Sequence, residues 1–389
     1  MKKYKLTIPA RINILGNPSD ANEGDFATIS AAVNIRAGAL IEPAEGIILQ
    51  SKTPQDRNTQ EVSGSAPEPT EIDQILEFRA GQYPLAYTGE VDLQKGAINR
   101  IYQFSPEFRE KYARQGLRLA FWSEVPRQSG LGGSSLFVLL TLAGLRCYYQ
   151  LDPRRHNDYI LAELAQRVEA RELGITCGFA DRYVPLFGGL AYVDYRGKLH
   201  HREICQEPFA TYERLEDQVP EFPLLAVSTG IEHESGDVHG PMRARYLEEH
   251  QRWESQGGPP PPMVRFMSAA WETAWRGKIA LLQGNLETFG ELMNENHRLV
   301  DEMMTYCGFR DGAGWANNLL IETARSHGAL GAKLTGAGSG GSVFALVRAG
   351  EEERLEEVWQ QTIKKARLTS ARVFRPQISS QGLEIQELR

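Results

Sequence analysis

The segment richest in groups that could bind a ligand is PRQSGLGGSS at residues 126–135, directly before the apolar run LFVLLTLAGLRCYY. Glycines let a backbone approach a ligand closely, and the start of a helix offers unpaired N–H groups at the positive end of its dipole. Both features favour the binding of an anion. The segment therefore predicts either a phosphate site or a simple serine cap of a buried helix. Since the pattern GxxxxGK[ST] is absent, a phosphate here would need Mg²⁺ or a distant base for neutralisation.

A second glycine-rich segment, KLTGAGSGG at residues 333–341, has Gly336, Gly338 and Gly341 in the GxGxxG spacing of dinucleotide sites. In such sites the glycines open a helix, whereas the residues that follow here, SVFALV, are typical of a strand. The context argues against a NAD site. The segment could form a tight hairpin, or its backbone could line an active site. We favour the second interpretation because the other motifs of the chain also predict a ligand site.

Two further segments carry charged residues that could act on a phosphate or a hydroxyl group. In PARINILGNPSD, Arg11 lies on a predicted strand just before a polar turn, although Asn, Pro, Ser and Asp are also ordinary turn formers. Asp181 follows a predicted helix on which Glu169 and Glu172 share one face, where simple solvation is the ordinary alternative. Each segment is a weak signal by itself.

Strands and helices must position these segments. The apolar run after Ser134 and Ser135 predicts a buried helix, and residues 159–173 predict another helix that ends at Gly174. Residues 73–115 have a helical pattern, and the polar segment 51–72 is predicted to be an exposed loop. Strands are predicted over residues 4–14, 27–42, 118–122 and 190–195.

The last third of the chain predicts a compact α+β unit. The run GGPPPP at 257–262 is predicted to be a loop between helices, and the domain boundary is placed in the polar segment around 205–222. The predicted elements of this unit are a helix over 317–327, strands over 332–335 and 342–347, a helix over 351–365 and a strand over 371–377.

Composition narrows the class of protein. A chain of 389 residues with 41% hydrophobic and 24% charged residues is long enough for two cores, and its net charge of -7 disfavours nucleic acid as a partner. No apolar run approaches the roughly 18 to 20 residues that cross a bilayer, and the N-terminus reads as a strand, which predicts a cytoplasmic protein without a membrane partner. The four cysteines lack CxxC pairing and predict reduced thiols: Cys147, Cys177, Cys205 and Cys307.

Taken together and in order, PARINILGNPSD, PRQSGLGGSS and KLTGAGSGGS resemble the three motifs of the GHMP small-molecule kinases. Within that family the chain is most similar to the glucuronokinases, in GNPSD, PRQSGL, ELGITCGFADRY, GGLAYVDY and SGDVHGPMRARY. The resemblance implies a two-domain α+β fold. Its N-terminal α/β domain, expected over residues 1–208, has a sheet with a left-handed crossover, and its C-terminal ferredoxin-like α+β domain is expected over 209–389.

The resemblance also implies residue roles for ATP and Mg²⁺. Family loops commonly read GLGSSA, so Ser134 stands at the position of the metal-facing serine, with Glu169 as the second metal ligand and Glu172 as the fallback. The ATP-binding residues would be Pro126, Gly130, Leu131, Gly132, Gly133, Ser134, Ser135, Gly336 and Gly338.

For catalysis the resemblance implies Asp181 as the carboxylate that accepts or orients the acceptor proton, with Arg11 stabilising charge beside it. A carboxylate on the substrate would need a cationic side chain that can bind both of its oxygens, as arginine does. Arg127 is the first choice, and the other candidates are Arg182, His239, Arg243 and Arg245. The substrate-binding residues would be Asn17, Asp20, Arg127, Gly338 and Ser339.

These implications predict an ATP-dependent kinase that phosphorylates the anomeric hydroxyl of a sugar acid, with glucuronate as the leading substrate. A kinase for a neutral sugar of the heptose or galactose type is the alternative within the family. A non-catalytic sugar or nucleotide sensor of the same fold, and a NAD-dependent oxidoreductase using GAGSGG, are the alternatives outside it. The presence of both Arg11 and Asp181 argues against the sensor.

Overall fold

A computed structural model describes most of the chain. The described residues are 2–21, 26–52, 71–126, 129–198, 203–204, 206, 208–219, 221–231 and 235–389. Two residues named above, Arg127 and Cys205, lie outside this set. Cys147, Cys177 and Cys307 are free thiols, as predicted.

The strands form two sheets. In chain order they are β1 (Lys3–Leu15), β2 (Ala27–Ala44), β3 (Ile47–Lys52), β4 (Ile72–Phe78), β5 (Gly116–Ser123), β6 (Leu190–Asp194), β7 (Thr211–Arg214), β8 (Leu224–Ser228), β9 (Gly331–Thr335), β10 (Ser342–Leu346), β11 (Arg372–Phe374) and β12 (Glu384–Leu388).

The helices pack against both sheets. They are α1 (Asp92–Phe104), α2 (Pro106–Tyr112), α3 (Gly133–Tyr148), α4 (Asp158–Arg167), α5 (Ala180–Phe187), α6 (Ser235–Gln256), α7 (Pro262–Leu282), α8 (Leu286–Tyr306), α9 (Trp315–Ser326) and α10 (Glu352–Ala366). A 3₁₀ turn covers Ser19–Ala21, and a π-helical turn, Val168–Glu172, extends α4.

The first sheet has the order β12-β1-β2-β5-β3-β4, with β6 on β2 and β7 on β6. Its pairs are antiparallel except for β3 with β5, which are parallel. Helix α3 packs on this sheet, where a Cβ at Gly144 would lie 3.6 Å from Ile41 and 3.9 Å from Leu119. Because α3 is buried on most sides, its sequence is apolar nearly all round.

The second sheet has the order β11-β8-β10-β9 and is antiparallel throughout. With α6 to α9 between β8 and β9, and α10 between β10 and β11, this is the strand order of a ferredoxin-like fold. Side chains alternate between its two faces. Leu225 and Val343 join a core with the C-terminal helices, whereas Leu224 and Phe344 belong to the core that includes the first sheet. One face of the second sheet therefore packs towards the N-terminal half of the chain.

The sequence prediction of helix over 73–115 is wrong in its first part. Residues 72–78 form β4, in which Gln74, Leu76 and Phe78 are partly buried and alternate with exposed residues, and α1 begins only at Asp92. The sequence places Asp181 after the end of a helix, but in the structure Asp181 lies in the first turn of a further helix, α5, which begins at Ala180. An eight-residue helix that contains Pro185 gives almost no periodic signal in the sequence. The prediction that GGPPPP joins two helices is confirmed, because α6 ends at Gln256 and α7 begins at Pro262.

The placement of a domain boundary between residues 208 and 209 stays a prediction. Strand β7 follows that position and pairs with β6, and β12 returns from the far end of the chain to pair with β1. The first sheet thus takes strands from both sides of the predicted boundary. Among the described residues, the helices are all too short or too polar to span a bilayer.

Candidate active site

Strand β1 delivers two polar side chains to one place. Arg11 and Asn13 alternate with the core residues Ala10, Ile12 and Ile14, so the period of a strand puts both on the face away from that core. Arg11 Nε donates to Asp181 Oδ1 at 2.6 Å, and Asn13 Nδ2 donates to the same oxygen at 3.4 Å. A carboxylate from the first turn of α5 is thereby held against β1.

Asp181 has the electrostatics of an ionised carboxylate. Burial would raise the pKa of Asp181, but the charges of Arg11 and Arg182 outweigh burial and hold that pKa well below its usual range. The Asp181 side chain is still 23% exposed, whereas Arg11 is 4% exposed. The carboxylate can therefore meet a ligand from the solvent side while its cationic partner stays behind it.

The three motif segments named in the sequence come together at the carbonyl group of Gly130. Arg11 Nη1 donates to this oxygen at 2.5 Å, and Thr335 Oγ1 donates to it at 3.3 Å. The Thr335 hydroxyl in turn accepts the backbone N–H of Asn13 at 3.0 Å. Segments around residues 11, 130 and 335 are therefore joined by direct hydrogen bonds.

The two glycine loops touch along their backbones. A Cβ at Gly130 would lie 2.5 Å from the Thr335 carbonyl oxygen, and a Cβ at Gly336 would lie 2.8 Å from Gly130 Cα. Both glycines have positive φ, +74° and +82°, which other residues adopt only with strain. Glycine at these two positions is what permits the contact.

Helix α3 starts without a side-chain cap. Its N-cap is Gly132, with φ of +82°, and both serines lie inside the first turn, so the predicted serine cap is wrong. Because no side chain of the described residues caps this end, the first N–H groups of α3 are available to an anion at the positive end of the helix dipole. Ser134 is exposed and Ser135 is buried, while Leu131, just before the N-cap, is buried in the core.

Behind this turn lies a buried ion pair of Glu169 and Arg182. Glu169 Oε1 accepts the Ser135 hydroxyl at 2.9 Å and Oε2 pairs with Arg182 Nη2, whose neighbour Nη1 donates to the Gly178 carbonyl at 2.6 Å. Burial raises the pKa of Glu169, and the charge of Arg182 opposes that rise. The π-helical turn places Glu169 inward.

Glu172, the fallback metal ligand, points elsewhere. It pairs with Arg100 at 2.7 Å and accepts the Tyr87 hydroxyl at 2.9 Å. Of the two glutamates, only Glu169 hydrogen-bonds to a serine of the α3 turn.

The predicted metal ligands supply only oxygen. Ser134 offers an exposed hydroxyl and Glu169 a carboxylate whose oxygens each retain a lone pair. Within the described part of the chain, no group of three or more His, Cys, Asp or Glu is arranged to hold a metal. A small set of oxygen donors fits Mg²⁺, which keeps several of its waters.

Asp20 is buried and already engaged. Its Oδ2 accepts the backbone N–H groups of Phe179 at 2.9 Å and Ala180 at 3.0 Å, at the start of α5. Burial raises the pKa of Asp20, and the nearby charge of Asp181 raises it further. Its clearest contribution is to hold the helix that carries Asp181, while its predicted contact with a sugar stays a prediction.

The third loop lines the site with backbone. Gly336 and Gly338 have φ of +82° and +98°, and Ser339 has φ of +60°. The Ser339 N–H donates to the Ala313 carbonyl at 2.8 Å, and a Cβ at Gly338 would lie 3.0 Å from Met304 Sδ. The loop is thus held from behind by α8 and the residues before α9. The strand prediction for SVFALV is confirmed by β10, so these glycines do not open a helix.

The cationic residues predicted to bind a substrate carboxylate differ in their surroundings. Arg182 is fully buried against Glu169, which removes it from contact with a substrate. Arg245 is exposed, donates to Glu249 at 3.2 Å and lies 4.1 Å above the Tyr306 ring. His239 and Arg243 are half-buried on α6. Pro126 is exposed at the entrance to the glycine loop.

Sequence reasoning missed three residues of this site, namely Asn13, Thr335 and Lys333. Asn13 could have been found from its spacing of two from Arg11 on one strand. Thr335 and Lys333 are also two residues apart on one strand, β9, and therefore lie on the same face of it. Lys333 Nζ donates to Asn17 Oδ1 at 2.7 Å.

Comparison with known proteins agrees with this geometry. Residues 96–189 match the family GHMP kinases N terminal domain, and residues 278–365 match GHMP kinases C terminal. The chain is 28% identical to probable glucuronokinase 2 of Arabidopsis thaliana over 359 residues, which cover 90% of this chain and 86% of the relative. It is 30% identical to galactokinase of Thermococcus kodakarensis over 266 residues, covering 64% of this chain and 69% of that protein.

Among solved structures, the galactokinase of Lactococcus lactis complexed with galactose superposes with a TM-score of 0.75. The match covers 99% of this chain and 95% of that structure at 20% identity, which establishes the fold. Fold and site together define a two-domain small-molecule kinase. The chain belongs to the GHMP kinase family, and it is a phosphotransferase that uses ATP and a hydroxyl acceptor. The predicted family, fold class and enzyme class are confirmed.

Proposed function

We propose that this protein transfers the γ-phosphoryl group of ATP to the anomeric hydroxyl of a sugar acid, with glucuronate as the leading substrate and glucuronate 1-phosphate as the product. The observation that carries the proposal is the Arg11–Asp181 pair at the meeting point of the three loops. The similarity to glucuronokinases over 90% of the chain supports the choice of substrate.

The transfer is an in-line displacement. The sugar oxygen forms a bond to the γ-phosphorus while the bond from that phosphorus to the β,γ-bridging oxygen breaks, and ADP leaves with the electron pair. Little covalent work falls to the protein, so positioning and charge stabilisation account for most of the catalysis. The uncapped start of α3 and the backbone around Gly130 would hold the phosphates.

Asp181 would orient the sugar hydroxyl and receive its proton. Its Oδ1 already accepts hydrogen bonds from Arg11 and Asn13, so Oδ2, which lies 3.8 Å from Arg182 Nη1, is the oxygen with capacity for the substrate. A carboxylate with a lowered pKa is a weak base. The proton therefore moves late, when the new O–P bond has made the hydroxyl acidic, and then passes to solvent.

Ser134 and Glu169 would hold Mg²⁺, which when bound neutralises charge on the β- and γ-phosphates.

The test is a panel of sugars and uronic acids, each incubated with ATP and Mg²⁺ and scored for ADP release. Glucuronate should be turned over fastest, and NMR of the product should show phosphate on C1. The Asp181→Asn variant serves as the control for contaminating ATPase activity. Turnover of neutral sugars alone would overturn the assignment of a sugar acid and favour the alternative suggested by the 30% identity to a galactokinase.

A further inference from the structure

Lys333 is a fully buried lysine at the interface between the two sheets. It lies on β9 between Ala332 and Leu334, which face the C-terminal core, and so its side chain points towards the N-terminal half of the chain. Its ammonium donates to Asn17 Oδ1 at 2.7 Å, to the Leu334 carbonyl at 3.1 Å and to the Asn13 carbonyl at 3.4 Å.

These three acceptors are neutral. Within the described residues, Lys333 forms no ion pair, and burial lowers the pKa of Lys333 to about 7. A buried ammonium without a counter-charge is costly, because hydration is lost and no opposite charge replaces it. A ligand that brings a negative group close to Lys333 would remove part of that cost.

The contact with Lys333 fixes the side-chain amide of Asn17. An ammonium group has only donors, so the amide oxygen must face it and the amide nitrogen must face away. Asn17 is 2% exposed, and its Nδ2 has no hydrogen-bond partner in the described structure. Two N–H donors are therefore held ready in a buried position, which is costly unless something accepts them.

Neighbouring polar atoms share this condition. Among the described residues, the Ser19 hydroxyl in the same turn is buried and has no hydrogen-bond partner, and the same holds for Asn296 Oδ1 and His297 Nδ1 on α8. Asn296 is adjacent, since its Nδ2 donates to the Asn17 carbonyl at 3.4 Å. The Asn17 turn and α8 thus bring several unused hydrogen-bonding groups close to the Asn17 amide that Lys333 holds.

This region adjoins the reacting carboxylate. Lys333 donates to the carbonyl of Asn13, and the amide of Asn13 donates to Asp181 at 3.4 Å. From the other side, Asp20 in the same turn binds the start of α5, the helix that carries Asp181. A sugar whose hydroxyl reaches Asp181 would have the rest of its ring near the Asn17 turn.

We propose that Lys333 is a positioning residue that holds the Asn17 amide with its N–H donors towards the sugar, and that these donors and the uncompensated positive charge select a substrate carboxylate over a neutral hydroxymethyl group. This inference rests on the proposed sugar kinase activity. It assigns the acid preference to the Asn17 turn, a part of the chain separate from Arg127.

The experiment measures kcat/KM for glucuronate and for glucose, which differ only at C6, in the wild type and in Asn17→Asp and Lys333→Met variants. In Asn17→Asp, acceptors replace the two donors while the new carboxylate pairs with Lys333, so the fold is retained. The ratio of the two kcat/KM values should fall about 10- to 100-fold in this variant, as expected for loss of hydrogen bonds to a charged group. Lys333→Met should lower the same ratio, with the KM for ATP unchanged.

Lys111→Met is the matched control, because Lys111 is half-buried and pairs with Glu107, a residue far from the site in the chain. Thermal unfolding of each variant verifies that it is folded. If buried waters alone satisfy these polar atoms, the variants will change stability but leave the acid-to-neutral ratio unaltered, which overturns the inference while the proposed function stands. If the wild type releases ADP with neither sugar acids nor neutral sugars, the proposed function itself fails.

Discussion

Two nitrogens of Arg11, Nε and Nη2, lie 2.6 Å from the same oxygen of Asp181, Oδ1. This one-sided contact leaves the second carboxylate oxygen for a ligand, and the third guanidinium nitrogen binds the Gly130 carbonyl. One arginine therefore connects the carboxylate to the glycine loop that precedes α3.

Replacement of Asp181 by Asn should preserve ATP binding and lower turnover by at least about 100-fold, the lower range of what a positioned proton acceptor contributes. The amide keeps the shape of the side chain but cannot accept the proton. Steady-state ADP release measures turnover, and quenching of a fluorescent ATP analogue measures binding. Asp158→Asn, at a half-exposed position in α4, is the control. A near-normal rate in Asp181→Asn would remove this carboxylate from the mechanism.

Replacement of Arg11 by Met should make the enzyme sensitive to mild acid. Arg11 lowers the pKa of Asp181, so its loss raises that pKa, and the carboxylate then takes up a proton at higher pH than in the wild type. The acid limb of kcat/KM should move upward in pH. At neutral pH, kcat/KM should fall about 100- to 1,000-fold, as for other lost charge stabilisers.

The control for this variant is Arg114→Met, since Arg114 is an exposed arginine that pairs only with Glu110 among the described residues. An acid limb at the same pH in wild type and Arg11→Met would show that Arg11 does not set the ionisation of Asp181.

The two serines at the start of α3 should respond differently to alanine. Ser134 is exposed and is the predicted metal ligand, so Ser134→Ala should raise the Mg²⁺ concentration for half-maximal activity by about tenfold. Ser135 is buried and donates to Glu169, so Ser135→Ala should lower the free energy of unfolding by about 1 kcal/mol. Mg²⁺ titrations and urea denaturation separate the two effects. The reverse pattern would identify Ser135 as the residue that meets the metal.

Arg127 remains the sequence-based choice for a cation that binds the substrate carboxylate, and it lies outside the described residues. Replacement by Ala should raise the KM for glucuronate by about tenfold or more and leave the KM for glucose nearly unchanged, because a charged hydrogen bond is lost only with the acid. Equal effects on both sugars would dismiss Arg127 as the anchor. If Arg127→Ala and Asn17→Asp each lower the preference for the acid, the double variant will show whether the two positions act independently.

The sequence was sufficient to predict the elements that have a strong period or a clear end. The two long N-terminal strands, the apolar helix after Ser135 and the C-terminal alternation of helix and strand all follow local patterns, and the structure has them near the predicted positions. Local pattern predicts helix at β4 because the strand forms through its pairing with β3, a tertiary contact that is not visible in the local sequence.

The site was harder to predict for the same reason. Arg11 and Asp181 are 170 residues apart, so no local pattern predicts that they pair, and only the resemblance to a family implies it. By sequence Arg182 is a candidate substrate ligand, but in the structure its charge compensates the buried Glu169. Burial of a charged side chain cannot be predicted from its neighbours in sequence, and the same holds for Lys333.

The lowered pKa of Lys333 predicts an unusual dependence of stability on pH. In the folded protein the pKa of Lys333 is about 7, below the ordinary lysine value of 10.5 that the unfolded chain keeps. Between these values the unfolded state binds more protons at this residue, so its contribution to the free energy of unfolding rises with pH. Below pH 7 Lys333 is protonated in both the folded and the unfolded state, so its contribution to the free energy of unfolding no longer changes with pH and is at its least favourable. The neighbouring His297, whose pKa burial lowers to about 4, stays neutral across this window.

Urea denaturation of the wild type and Lys333→Met at pH 7, 8 and 9 isolates this effect, because the other titrating groups are common to both proteins. The difference in unfolding free energy, wild type minus variant, should rise with pH by up to about 1.4 kcal/mol per unit. A constant difference would mean that Lys333 keeps an ordinary pKa, and hence that a charge outside its three neutral contacts compensates it. Addition of a saturating anionic sugar should reduce the slope, since a bound carboxylate near the ammonium favours its protonated form and raises its pKa.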